Sequence, residues 1–175
     1  MIFPQLKHNN NTKLWLYKMY KKILLSMDSS EDAERAAQKA LEFKKQWNSQ
    51  VIAFHSTEHH LIPQQLPLSA PVSNTYEYLI PPDTYDEIEQ AYKDHGKQIL
   101  QKVENMFQEE DLKVETRLIT FNEPEDYIIK TVKKENFDLV ILGCKGAHSK
   151  LKEIFIGSVA QTVLNKAPCD VLVIR

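Results

Sequence analysis

The chain has 175 residues, a net charge of −2 at pH 7, 42% hydrophobic residues and 26% charged residues. These values suit one soluble domain with a sizeable core, and the near-neutral charge argues against nucleic acid or an anionic membrane as a partner. Two cysteines are too few for a disulfide framework and fit a reducing compartment, so we expect a cytoplasmic protein. No apolar run approaches the roughly 20 residues that span a bilayer.

Residues 1–18 are predicted to be a loosely ordered N-terminal extension. Their apolar residues are interrupted by asparagines at positions 9–11 and by Lys13, and no small-residue cleavage site follows, so a signal peptide is not indicated. Met19 stands just before the first strand and is an alternative start of the natural chain. We therefore predict a single domain over residues 19–175.

The first half of that domain contains two predicted strands and two predicted helices. Apolar runs at residues 23–27 and 51–54 indicate strands, and the helical spacing of alanines and aromatic residues over 32–47 indicates a helix that packs closely on a sheet. Residues 57–82 contain five prolines and no glycine, which indicates a long loop, interpreted as a mobile flap. An amphipathic helix is predicted over residues 83–109.

The second half alternates strands and helices again. Residues 113–119 alternate polar and apolar side chains, which predicts a half-buried strand at a sheet edge. Pro124 suits the first turn of a helix, and a further helix opens at Ser158. Continuous apolar strands are predicted at 139–142 and 171–174. Because most of the strands are continuous apolar runs, we predict an α/β fold with a doubly wound, five-stranded parallel sheet and helices on both faces.

The segment 138–158 contains three of the chain's four glycines, at Gly143, Gly146 and Gly157. Glycine is used where a chain turns sharply or where another group must come close. A strand, a glycine turn and a helix opened by Gly157 and Ser158 are typical of backbone N–H groups aimed at an anion. Turn geometry alone remains the other interpretation, but the pattern favours a phosphate-binding segment in a nucleotide-binding protein.

The order of the strands follows from the position of this site. The strands at 23–27 and 139–142 end at Asp28 and Gly143, and ligands of open parallel sheets bind beyond the strand ends where the winding reverses. If both ends serve one ligand, the two strands are neighbours, and right-handed crossovers then favour the order 3-2-1-4-5. The strand at 171–174 would then lie at an edge of the sheet. It is too apolar to be an edge strand without a partner. We therefore predict a homodimer through residues 171–174.

Three segments are similar to the universal stress protein family, namely residues 20–36, 143–158 and 163–175, and the likeness extends over residues 19–175. The nucleotide-binding branch of that family carries the pattern Gly-x2-Gly-x9-Gly-Ser/Thr. This chain has ten residues, not nine, between Gly146 and Gly157. The resemblance implies a Rossmann-like fold of the adenine nucleotide alpha hydrolase-like kind.

The same resemblance implies an adenine nucleotide, such as ATP, as the ligand, with Mg²⁺ or Mn²⁺ as an accompanying ion. Asp28 corresponds to the aspartate near adenine and ribose, and Ser56 to the position whose backbone meets adenine. The implied nucleotide-binding residues are Ser26, Met27, Asp28, Ser56, Gly143, Cys144, Gly146, Gly157, Ser158 and Val159. No catalytic or metal-binding residue is assigned.

Several of these residues have a second, structural interpretation. Asp28 is equally suited to capping the first helix, and Ser158 is predicted both to cap its helix and to meet phosphate. Cys144 is either a reactive thiol or a small filler. The string His55-Ser-Thr-Glu-His59 matches the H-x-x-E-H zinc-protease pattern, but that chemistry needs a helix, and here the string leaves a strand.

Three functions are compatible with the sequence. The favoured hypothesis is an ATP-binding stress-response switch or regulatory dimer with little or no hydrolysis, acting through an unidentified protein partner. The sequence contains neither a phosphate loop of the form G-x-x-x-x-G-K-[ST] nor a G-x-G-x-x-G fingerprint, and no general base is evident beside the glycines, so enzymatic activity is uncertain. The alternatives are a nucleotide-free scaffold or regulatory dimer and a slow ATP-hydrolysing enzyme of the same fold.

Overall fold

The computed structural model describes residues 20–57, 82–120, 122–146 and 156–175, with side chains in the second range described from residue 86. The predicted extension at 1–18 and nearly all of the predicted loop at 57–82 lie outside these ranges. The described residues form five strands and four helices. In chain order these are β1 Lys22–Ser26, α1 Glu31–Trp47, β2 Gln50–Ser56, α2 Pro82–Gln108, β3 Glu115–Ile119, α3 Pro124–Glu135, β4 Leu139–Gly143, α4 Ser158–Lys166 and β5 Asp170–Ile174.

All described strand pairs are parallel, and the sheet order is β3-β2-β1-β4-β5, as predicted. The central pair is β1 and β4, in which Ile23 lies opposite Leu139 and Leu25 lies opposite Ile141. The chain winds from β1 towards β3 on one side and from β4 to β5 on the other. The winding therefore reverses between β1 and β4, which is where an open α/β sheet forms its ligand crevice.

Successive residues of the central strands pack on opposite faces of the sheet. Ile23 and Leu25 belong to the core under α1 and α2, whereas Leu24 belongs to the core under α3 and α4. The sheet is thus covered on both faces, as the continuous apolar strands predict. Helix α1 comes close to the sheet through four alanines that are at most 2% exposed, Ala33, Ala36, Ala37 and Ala40.

The start of α1 is fixed by two polar side chains. Ser30 is the N-cap, and its hydroxyl oxygen accepts a hydrogen bond from the Ala33 N–H group at 3.1 Å. Asp28 Oδ1 in turn accepts from the Ser30 N–H group at 2.9 Å and from the Ser30 hydroxyl at 2.5 Å. Asp28 therefore supports the cap without being the cap.

Element boundaries differ from the sequence predictions mainly at strand ends. The apolar run predicted at 51–54 was expected to end near His55 and Ser56, and β2 does end at Ser56, which still pairs with Ile119 of β3. The edge position and half-buried pattern predicted for β3 are confirmed. The prediction that Ser158 caps α4 was wrong, since Gly157 is the N-cap and Ser158 is the first helical residue.

Gly143 allows α1 to dock against the end of β4. A Cβ atom placed on Gly143 would lie 2.9 Å from the Ala33 nitrogen and 3.0 Å from Asp32 Cβ, and the nearest of these atoms belongs to the backbone. A Cβ on Gly146 would instead meet Asp28 Oδ2, at 3.1 Å, as its one neighbour in the described ranges, and a side-chain oxygen can move.

We predict that Gly143→Ala lowers the free energy of unfolding by about 1–3 kcal/mol, because α1 must shift to admit the methyl group. The matched control, Gly146→Ala, should change it by less than about 1 kcal/mol. Urea denaturation of both variants without ligand measures the difference. Equal midpoints for Gly143→Ala and the unsubstituted protein would contradict the packing role of Gly143.

Candidate functional site

The carboxyl ends of β1, β2 and β4 meet at one edge of the sheet and bring most of the sequence-predicted residues together. Asp28 follows β1, Ser56 ends β2, and Gly143 ends β4. Gly146 lies against Asp28, since a Cβ atom on Gly146 would be 3.1 Å from Asp28 Oδ2. Gly157 lies against the same turn, because a Cβ atom placed there would be 3.9 Å from the Gly146 nitrogen. These contacts place Asp28, Gly146 and the start of α4 side by side.

The turn after β4 is held by three backbone hydrogen-bond donors. The Cys144 N–H group donates to the Ile174 carbonyl at 2.6 Å, the Lys145 N–H group to Asp32 Oδ2 at 3.1 Å, and the Gly157 N–H group to the Cys144 carbonyl at 2.8 Å. These donors are therefore used within the protein. The amides of Gly146, Ser158 and Val159 have no acceptor among the described residues, and they are the donors left to face a ligand.

The start of α4 differs electrostatically from the starts of α1 and α3. Helix α1 has a serine cap and acidic residues in its first turn, and α3 has Glu125 and Asp126 in its first turn. Helix α4 has Gly157 as its cap, no side-chain cap bond and no acid in its first turn. Its partial positive charge is thus not offset by an acidic side chain of its own first turn, an arrangement that suits a bound anion.

The glycines are explained by space and not by backbone conformation, because none of the four has a positive φ angle. Gly96 would place a Cβ within 3.0 Å of the side chains of His55 and Leu118, and Gly143 and Gly157 face backbone atoms of the protein. Among the described residues, Gly146 faces a single atom, a carboxylate oxygen of Asp28. The missing side chain at Gly146 therefore leaves room in front of Asp28 that the described residues do not fill.

The adjoining ends of β1 and β2 are polar but tightly packed. Met27 and Ser56 are each 7% exposed, and the Ser56 hydroxyl donates to the Asn122 carbonyl at 2.6 Å. Phe54 turns its carbonyl towards β1, where it accepts from the Met27 N–H group, and Thr57 turns its N–H group towards β3. Since backbone groups alternate along a strand, the Ser56 backbone is directed towards β1 and the crevice.

The remaining sequence-predicted residues lie around this crevice in different ways. Ser26 ends β1 opposite Phe54 and is half-buried. Cys144 is 6% exposed, which agrees with its interpretation as a small filler. Val159 is half-buried in the first turn of α4, and Ser158 is exposed beside it.

His55 is a buried residue that stands out in the sequence only as part of a protease pattern. It is 4% exposed, its Nδ1 lies 2.8 Å from the Met27 carbonyl, and its ring fits against Gly96 of α2. Burial lowers the pKa of His55 below its ordinary value, with a further lowering by His95, while the Met27 carbonyl and Asp28 oppose the change. The useful signal in the sequence was Gly96, a glycine inside a helical pattern, which often marks close packing.

No metal-binding group is present in the part of the chain that the structure describes. Groups of three or more histidine, cysteine, aspartate or glutamate side chains placed to hold an ion do not occur there. Among the same residues, no helix has both the length and the apolar character needed to cross a membrane.

We predict that stability depends on pH through His55. Because its folded pKa is below the unfolded value of about 6.5, the unfolded chain takes up the proton first, so the free energy of unfolding falls as pH drops below about 6.5. The variant His55→Asn, which keeps a donor for the Met27 carbonyl, should show a shallower decline between pH 7 and pH 5. Urea denaturation across this pH range measures the decline in the free energy of unfolding, and His95→Asn, at an exposed histidine, is the control. Parallel curves for the His55 variant and the unsubstituted protein would disprove the role.

Comparison with known proteins agrees with this fold. The chain is 28% identical over 162 residues to the universal stress protein MJ0577 of Methanocaldococcus jannaschii, and the match covers 90% of this chain and 96% of the relative. The solved structure of MJ0577 superposes with a TM-score of 0.70 at 27% identity, covering 89% of this chain and 96% of that chain.

Two more distant structures share the fold and hold nucleotides. The universal stress protein of Archaeoglobus fulgidus in complex with dAMP has a TM-score of 0.57 at 22% identity, covering 90% of this chain and 99% of that chain. A universal stress protein family member of Arabidopsis thaliana with AMP bound has a TM-score of 0.56 at 18% identity, covering 88% and 90%. The model of the universal stress protein family matches residues 19–175, and the chain therefore belongs to that family.

Proposed function

We propose that this protein binds an adenine nucleotide in the crevice between β1 and β4 and acts as a nucleotide-responsive regulatory protein. The observation that carries the proposal is the meeting of the Asp28 carboxylate, the Gly146 turn and the start of α4 at one point of the sheet edge. The dAMP and AMP complexes of the A. fulgidus and A. thaliana proteins support the choice of ligand.

The phosphate groups are assigned to the amides of Gly146, Ser158 and Val159. Hydrogen bonds to a charged group contribute about 1.5–3 kcal/mol each, so three of them can approach the roughly 8 kcal/mol of micromolar binding. The positive end of α4 adds to this attraction because the first turn of α4 carries no acid. Gly146 must stay small for a phosphate to reach these donors.

The nucleoside is assigned to the β1 side of the crevice. Asp28 Oδ2 is directed at Gly146 while Oδ1 holds Ser30, so the carboxylate is fixed where it can accept a hydrogen bond from a ribose hydroxyl. The Ser56 backbone is directed towards the same crevice and is suited to the adenine edge, and Met27 supplies an apolar surface next to it.

The proposal includes ATP as the nucleotide in the cell, with Mg²⁺ or Mn²⁺ held mainly by the phosphate oxygens. It also includes little or no hydrolysis, a cytoplasmic location and regulation of a protein partner that no described residue identifies. Mass analysis of nucleotide released from freshly purified, denatured protein tests the identity of the ligand. Turnover above about one per second that is lost in Asp28→Ala would favour the enzyme hypothesis instead.

We predict that Gly146→Val weakens binding of both ATP and AMP at least about tenfold, because the branched side chain fills the space in front of Asp28 and blocks the amides. Isothermal titration calorimetry measures the affinity, and adenosine, which lacks phosphate, should bind more weakly than AMP. Urea denaturation of Gly146→Val without ligand controls for a general packing defect, because a change confined to the turn should leave the core intact. Equal affinity of Gly146→Val and the unsubstituted protein would contradict the site, as would failure of the latter to bind any adenine nucleotide.

We also propose a homodimer through β5. This strand is at the sheet edge, with β4 as its neighbour on one side and no described strand on the other. Its inner side is identified by two bonds: the Asp170 N–H group donates to the Asp138 carbonyl at 3.3 Å, and the Ile174 carbonyl accepts from Cys144. Since backbone groups alternate, Val171 and Val173 direct their N–H and carbonyl groups outwards, where a second copy can pair.

We predict that Val173→Pro converts the dimer to a monomer, because proline removes an outward N–H group without removing a bond to β4. Val173→Ala, which loses similar packing but keeps the N–H group, should remain dimeric. Light scattering at tens of micromolar protein distinguishes the two. The proposal fails if the unsubstituted protein has a monomeric mass or if Val173→Pro remains a dimer.

A further inference from the structure

We propose that Asp32 is the positioning residue of the turn after β4, which it holds through the backbone of Lys145 so that Gly146 presents its amide to the ligand. The inference rests on the proposed nucleotide site and adds to it a residue that does not touch the nucleotide. Asp32 lies in the first turn of α1, 113 positions before Lys145.

The Asp32 carboxylate is nearly buried, and both of its oxygens are paired. Asp32 is only 9% exposed, although it is charged. Its Oδ2 accepts the Lys145 N–H group at 3.1 Å, and its Oδ1 forms a short ion pair with the guanidinium of Arg35. A buried carboxylate is costly unless it is paired and hydrogen-bonded, and here each oxygen has a partner.

The packing beneath the turn also brings Asp32 close to Lys145. Gly143 has no side chain, and a Cβ placed on it would lie 3.0 Å from Asp32 Cβ, so the first turn of α1 rests directly on the end of β4. This contact brings Asp32 under the turn two residues later. The bond to Asp32 fixes the peptide between Cys144 and Lys145, and only the φ and ψ angles of Lys145 separate that peptide from the Gly146 amide.

The negative charge of the Asp32 carboxylate also bears on its role. Both oxygens of Asp32 are paired within the protein, Oδ2 with the Lys145 N–H group and Oδ1 with Arg35, so no contact with the ligand is assigned to this carboxylate. Arg35 balances that charge, and Arg35 also pairs with the exposed Glu31. What Asp32 contributes is an acceptor oxygen in a fixed place, and an asparagine can supply that oxygen while an alanine cannot.

The test compares Asp32→Ala, Asp32→Asn and the control Glu31→Ala, which removes the other carboxylate that pairs with Arg35. Amide hydrogen exchange of Lys145 and Gly146 is measured without ligand by NMR, and AMP affinity by calorimetry. We expect Asp32→Ala to speed Lys145 exchange and weaken AMP binding, each about tenfold, with Asp32→Asn within about threefold of the unsubstituted protein and Glu31→Ala unchanged.

Unchanged Lys145 amide exchange in Asp32→Ala would overturn the proposal. So would AMP binding by Asp32→Ala that is as tight as in the unsubstituted protein, or tighter. A third contrary result is AMP binding by Asp32→Asn that is as weak as binding by Asp32→Ala. If Asp32→Ala does not fold, Asp32→Glu replaces it, because it keeps the charge and moves the oxygen; affinity equal to that of the unsubstituted protein would then reject positioning. If the unsubstituted protein binds no AMP, the proposed function fails, while the exchange measurement still decides whether Asp32 holds the turn.

Discussion

The parallel pairing of β1 with β4 is the constraint on which the rest of this structure depends. It aligns the ends of two strands that are far apart in sequence, so that Asp28 and the turn carrying Gly146 come within contact distance. The pairing itself is held by apolar burial on both faces, since Ile23, Leu24 and Leu25 are fully buried. A polar crevice at this edge is therefore supported by fully buried side chains of the central strand.

The crevice combines groups whose chemistries differ. On one side a carboxylate is fixed by the Ser30 cap, and on the other a helix start presents N–H groups without an acidic neighbour in its first turn. A ligand that carries both hydroxyl and phosphate groups satisfies both sides, whereas a simple anion satisfies only one. This pairing of donors and acceptor is the physical reason for preferring a nucleotide over free phosphate.

Much of this arrangement was predictable from sequence, because it depends on local patterns. Continuous apolar runs indicated a parallel sheet, and placing Asp28 beside Gly143 was enough to predict the strand order. The bond between Asp32 and Lys145 was not predictable, since an acid in the first turn of a helix normally needs no partner 113 residues away. The use of the Cys144, Lys145 and Gly157 amides within the protein was equally hidden, because the glycine spacing shows where a turn lies but not which of its donors remain for a ligand.

The central claim is that backbone amides at Gly146 and at the start of α4 bind the phosphate of an adenine nucleotide. The most direct measurement is an NMR titration of isotope-labelled protein with AMP, followed by the same titration with adenosine. The account predicts that AMP moves the amide resonances of Gly146, Ser158 and Val159 more than those of the other described residues, and that adenosine moves these three much less. Resonances that stay in place with AMP, or that move equally with adenosine, would contradict it.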